Sequence, residues 1–147
     1  MASAGEVAKY IIKSMPVDNL KLQKLLYYSQ AVYLVLNNKK PLFPEPIEAW
    51  DYGPVVPPVY REYKSHGLET IPVPQDDNPL NLAAEEIVSI DMALAYFGEM
   101  SGLALMSSTH QETPWKKSYH PGWPSNIIPI DLIYDYFKDT LEFEDDQ

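Results

Sequence analysis

Apolar positions recur along most of this chain at helical spacing. Val7, Tyr10 and Ile11 fall at i, i+3, i+4 and predict a short helix over Glu6 to Ser14, ended by Pro16. Asp18 or Asn19 is placed to cap the next helix, Leu20 to Asn37. Leu22, Leu25, Leu26, Tyr33 and Leu36 share one side of it, and Tyr28, Ala31, Val32 and Val35 cover much of the rest. A helix apolar nearly all round belongs inside a protein, so this is the predicted central helix. In its first turn Lys21, Gln23 and Lys24 are expected to reach solvent.

Residues 38–58 break the pattern, because their prolines and Gly53 forbid a long helix. Ile47 to Tyr52 reads as a short strand or an extended run, with Trp50 and Tyr52 on opposite faces. Pro57 or Pro58 opens a helix through Val59, Tyr60 and Tyr63 that stops at Gly67. A surface loop over 70–80 leads to a helix capped at Asn81 and running to about Gly98. Ile87, Ile90, Leu94 and Phe97 are its buried stripe, and Glu85, Glu86 and Asp91 its wet side. Ser101 opens a helix from Gly102 to about His110, and Pro129 starts the last one, with Ile130, Ile133, Tyr134, Phe137 and Leu141 inward. The result is a mainly α, single compact domain over 1–141, with five or six helices around a buried central one and room for one short β-hairpin. An acidic tail, 142–147, is expected to fray.

Composition narrows the function. At 147 residues with 46% hydrophobic content the chain is long enough for a real core. With no cysteine there is no disulfide, thiolate zinc site or cysteine nucleophile, which fits a reducing cytoplasm. No run of about 18 apolar residues and no signal-peptide apolar region is visible, so a soluble cytoplasmic protein is expected. The net charge of −10 is uneven: residues 1–68 carry +2 and residues 69–147 carry −12. The acidic half repels phosphate backbones, so no direct nucleic-acid partner is expected. It would steer a basic protein partner, or simply keep the chain soluble.

The motifs of catalysis are missing. His66, His110 and His120 include no i, i+4 pair and there is no HExxH, so no metal is assigned. Ser107, Ser108, Thr109 and His110 are crowded, but adjacent helical residues face different ways, and there is no GxSxG elbow. No glycine-rich phosphate loop occurs, so no cofactor and no catalytic residue is assigned. Three Trp, eleven Tyr and four Phe remain, suited both to cores and to binding surfaces.

Three stretches stand in a suggestive order: LKLQKLLYYSQAVYL at 20–34, EAWDYGPVVPPVY at 48–60 and STHQETPW at 108–115. Together they resemble the Panacea antitoxin domain, a SocA-like, phage-associated family. The matching positions are Lys24, Leu25, Leu26, Tyr27, Tyr28, Glu48, Trp50, Gly53, Pro54, Val55, Tyr60, Thr109, His110, Pro114 and Trp115. The resemblance implies a helical, non-enzymatic module that binds and neutralises one cognate toxin, basic and acting on translation. The alternative is a protease adaptor or a phage regulatory protein binding a host factor. An enzyme without a linear motif is the rival from another class, and would show a deep pocket ringed by perturbed titratable groups.

Within this reading His110 is structural, ending an apolar helix where an imidazole can bond free carbonyls or a carboxylate, and Trp115 anchors the following segment in the core. The partner-binding candidates are Tyr28, Tyr52 and Tyr60 as aromatic anchors, with Asp131, Asp135, Asp139 and the 142–147 tail as matching charge. Metal analysis of protein purified without a histidine tag is expected to return no stoichiometric metal. Zinc held by His110 and His120 would contradict it.

Overall fold

A computed structural model describes residues 1–141, and the acidic tail at 142–147 lies outside the described residues. The fold is built around α2, Asn19–Leu36, which is buried along most of its length. Asp18 caps it, its carboxylate accepting from the Lys21 N–H at 2.8 Å. Because α2 carries apolar residues on every side, with its buried polar ones hydrogen-bonded for the most part, it can be covered from every side. α1 (Ala4–Ser14), α4 (Ala84–Phe97), α5 (Gly102–His110) and α7 (Ile130–Thr140) all contribute to its coat. α3 (Pro57–Tyr63) and α6 (Thr113–Ser118) are short, each with proline in the first turn. Among the described residues no single helix is long and apolar enough to cross a membrane.

The only regular sheet among the described residues is the hairpin of β1 (Glu48–Trp50) and β2 (Gly53–Val55), antiparallel, with Trp50 opposite Gly53. Asp51 and Tyr52 form its tip. The loop at 126–128 joins its edge: Ala49 N–H donates to Asn126 O at 2.7 Å and Ile128 N–H to Ile47 O at 2.8 Å.

Several boundaries differ from the sequence expectation, each for a visible reason. Gln23 and Lys24, expected in solvent, are buried. Gln23 accepts from the Val56 N–H at 2.9 Å and donates to Asn19 at 2.9 Å, so its amide ties the end of β2 to α2. α4 begins three residues after Asn81, with Ala83 at its N-cap, where Glu86 reaches back to accept from the Ala83 N–H at 2.7 Å; the Asn81 N–H instead donates to Glu6. Glu86 is therefore buried rather than wet, its second oxygen accepting from the Ala2 N–H at 3.1 Å. α3 stops at Tyr63, and a 3-10 turn, Lys64–His66, carries the chain to Gly67 at φ 61°. α6 was not anticipated; Pro114 restarts the helix that Thr113 to Ser118 completes.

Gly53 adopts φ +105°, and a Cβ there would lie 2.7 Å from Lys24 Cε and 2.9 Å from Thr109 Oγ1. Both the left-handed backbone and the close approach exclude a side chain. Gly122, at φ +84°, has open space around it. Gly53→Val is therefore expected to cost about 3 kcal/mol or more, a fall in Tm on the order of 10 °C. Gly122→Ala should cost about 1 kcal/mol from backbone strain alone. Equal melting temperatures for the two variants would refute the packing role of Gly53.

Candidate functional site

The three sequence stretches converge on the hairpin. From α2, the Lys24 ammonium donates to the Pro54 carbonyl at 3.0 Å, deep in the protein. From α5, His110 Nε2 lies 3.0 Å from the Asp51 carbonyl; a carbonyl only accepts, so Nε2 carries the hydrogen. From α6, the Trp115 indole donates to the Trp50 carbonyl at 2.8 Å. The His110, Trp115 and Tyr119 rings form a row, with centroids 4.2 and 4.6 Å apart, and the Tyr119 hydroxyl donates to the Asp51 carboxylate. Three helices thus hold the strand backbone from behind.

His110 meets the carbonyl of Asp51 at the hairpin tip, rather than the free carbonyls of its own helix end or a carboxylate. Its neighbours do not form a nucleophile with it: Thr109 donates to the Met106 carbonyl at 2.8 Å and Ser108 faces Tyr28. Trp115 is half-buried rather than sunk in the core, because its ring lies between His110 and Tyr119 at the surface.

Behind the bracing layer lies a buried carboxylate. Glu112 accepts from the Tyr27 hydroxyl at 2.9 Å and from Tyr28 at 2.7 Å. Burial pushes its carboxyl up to about 7, against the opposing pull of the Tyr28, Tyr27 and Ser108 hydroxyls. Burial likewise pushes the Lys24 ammonium down to about 7, with Asp18 pulling the other way. Tyr27 and Tyr28 are raised above the ordinary phenol value by burial and then by the Glu112 charge. Tyr28, a candidate contact from the sequence, is wholly buried, stacked on Phe97 at 3.9 Å. It is a packing residue, since its hydroxyl finds Glu112 inside the protein and it needs no surface position.

The outer side of the hairpin is different. Tyr52 is 68% exposed and Trp123 is 63% exposed. Tyr60 packs edge-on against Trp50 at 5.1 Å. Trp50, Tyr52 and Tyr60 separate two grooves. One, of about 480 Å³, is apolar and lined by Leu20, Val55, Leu68, Leu103 and Met106, among others. The other, of about 360 Å³, runs past Glu48 and Asp51 to Trp123. Tyr52 and Tyr60 are thus brought together at the surface. Asp131, Asp135 and Asp139 lie on α7, and the first two are engaged locally, Asp131 with Lys39 at 2.7 Å and Asp135 with Lys138 at 3.6 Å. Sequence reasoning missed Trp123 and the internal carboxylate Glu112. The signal for Trp123 was a tryptophan set between Pro-Gly and Pro, where no helix or strand could bury it. Among the described residues no cluster of His, Asp and Glu could hold a metal ion.

The family described as Antitoxin SocA-like, Panacea domain, matches residues 22–116, a span that takes in the second and third stretches and all but the first two residues of the first. Antitoxin SocA of Caulobacter vibrioides (strain NA1000 / CB15N) is 31% identical over 118 residues, covering 69% of this chain and 59% of the relative. The chain therefore spans less than two thirds of that relative's length. No solved structure matches it.

Glu112 makes stability depend on pH in a definite direction. Its folded pKa, about 7, lies above the ordinary value of 4.5. Its contribution is fully present below pH 4.5 and is lost as pH rises through about 7. Glu112→Gln should flatten the fall in Tm between pH 5 and 7, removing a change of roughly 1–3 kcal/mol. Parallel pH profiles for the variant and the parent protein would contradict the assignment.

Proposed function

The chain belongs to the Antitoxin SocA-like, Panacea domain family, and we propose that it neutralises a cognate toxin by direct contact through the aromatic face around the β1–β2 hairpin. The observation that carries this reading is the pairing of exposed aromatics with a braced backbone. Tyr52 and Trp123 put large side chains into solvent, and the strands beneath are fixed by Lys24, Gln23, His110 and Trp115. Aromatic anchors supply much of the energy of protein interfaces, and a surface ordered beforehand loses less entropy on binding. The chain acts in the cytoplasm as a binder rather than a catalyst.

The toxin is basic, as an enzyme acting on tRNA or nucleotides in translation must be to hold phosphates. The net charge of −10 steers the encounter. Asp131 and Asp135 already have cations beside them, so α7 serves by its long-range field more than by direct pairing; exposed Asp139 belongs to the same field. Affinity then rests on Tyr52, Trp123 and Tyr60.

Tyr52→Ala and Trp123→Ala are each expected to speed dissociation of the toxin roughly tenfold or more and to release its toxicity in cells, with stability changed by less than about 0.5 kcal/mol. Removing residues 142–147 should slow association at low salt and leave dissociation nearly unchanged. If tail removal alone abolished neutralisation and the aromatic changes did nothing, the tail would be the inhibitory element.

A further inference from the structure

The groove between the hairpin and the 119–126 loop has a chemistry of its own. Its walls are aromatic: Tyr52, Tyr60 and Tyr119 on one side and Trp123, with His120 stacked on it at 4.4 Å, on the other. Its polar lining includes two carboxylates, with His120, Ser125 and Asn126 also present. Glu48 accepts from the Trp50 indole at 2.9 Å through Oε1, and Asp51 accepts from Tyr119 through Oδ1. Each bond fixes the carboxylate in place and occupies one oxygen. Among the described residues Glu48 Oε2 and Asp51 Oδ2 have no hydrogen-bond partner, and neither acid has a Lys or Arg within ion-pair distance. The acids of α7 differ, since Asp131 and Asp135 already have their cations.

We propose that this groove receives an arginine side chain presented by the protein partner. The inference rests on the binding reading above and deepens it by naming what the partner inserts. A guanidinium is flat and weakly hydrated, stacks on tyrosine and tryptophan faces, and donates along its edge to carboxylates. An ammonium would match the charge but not the planar walls. Two hydrogen-bonded carboxylates without a Lys or Arg beside them, in a groove lined by aromatic rings, are the complement of that group. The volume of about 360 Å³ is ample for one such side chain together with the backbone that carries it.

The protein contains three tryptophans, so its indole N–H signals form a simple NMR reporter once assigned by single Trp→Phe variants. N-acetyl-arginine amide is the probe, with N-acetyl-citrulline amide as its uncharged isostere. The arginine probe should shift the Trp123 and Trp50 signals saturably, with a Kd on the order of 1–10 mM. The citrulline probe should not. Glu48→Gln with Asp51→Asn should weaken arginine binding about fivefold or more while keeping the bonds from Trp50 and Tyr119 and the melting temperature. Equal shifts from citrulline, no saturable shift from arginine, or unchanged affinity in the double variant would each overturn the proposal. So would indole shifts that follow protein concentration alone, which would make a second copy of this chain the occupant. The probe is titrated without any toxin, so arginine binding fails or stands separately from toxin capture.

Discussion

The structure depends on one buried contact, the Lys24 ammonium against the Pro54 carbonyl. An ammonium taken out of water is costly, and here a single carbonyl is its hydrogen-bond acceptor. The cost is accepted at the point where the central helix meets the hairpin. Gly53 must be a glycine because the lysine stem runs directly beneath it, with Thr109 alongside. The register of the strands, the position of the tip and the approach of α5 are therefore set by the same few atoms. Gln23, one residue earlier on α2, secures the other end of β2 through Val56.

The same economy appears in the outer layer. His110 and Trp115 spend their polar atoms on hairpin carbonyls, Asp51 O and Trp50 O, that have solvent as their alternative. Glu112, between them in sequence, points the opposite way and joins Tyr27 and Tyr28 inside the protein. One segment, 109–115, thus fastens the hairpin on one side and the core on the other. This explains how residues from three separate stretches come to meet at the hairpin. The hairpin tip, held from behind, is left with its aromatic side chains facing outward.

Most of the helical architecture was legible in the sequence because period and capping are local signals. Val7, Ile11, Ile133 and Phe137 fell on the expected faces, and Asp18, Ser101 and the proline pair 57–58 marked helix starts correctly. What was not legible depended on partners distant in sequence. Lys24 and Gln23 look like solvent residues until β2 arrives over them. Tyr28 looks spare until Glu112, 84 residues later, accepts its hydroxyl. Asn81 looks like a cap, but the helix starts at Ala84, where Glu86 reaches back to the Ala83 N–H. At the site, the hairpin and Tyr52 could be anticipated from Gly53 and the prolines. The groove could not, because it exists only where the 119–126 loop returns to the strand edge.

The central proposal is that the hairpin face, and not the acidic last helix, meets a toxin partner. Amide hydrogen exchange on the protein alone and in complex with its cognate toxin tests it most directly. The account predicts new protection concentrated in residues 48–60 and 119–126, with α7 little changed. Protection gathered on Ile130–Thr140 while the hairpin exchanged as before would contradict it.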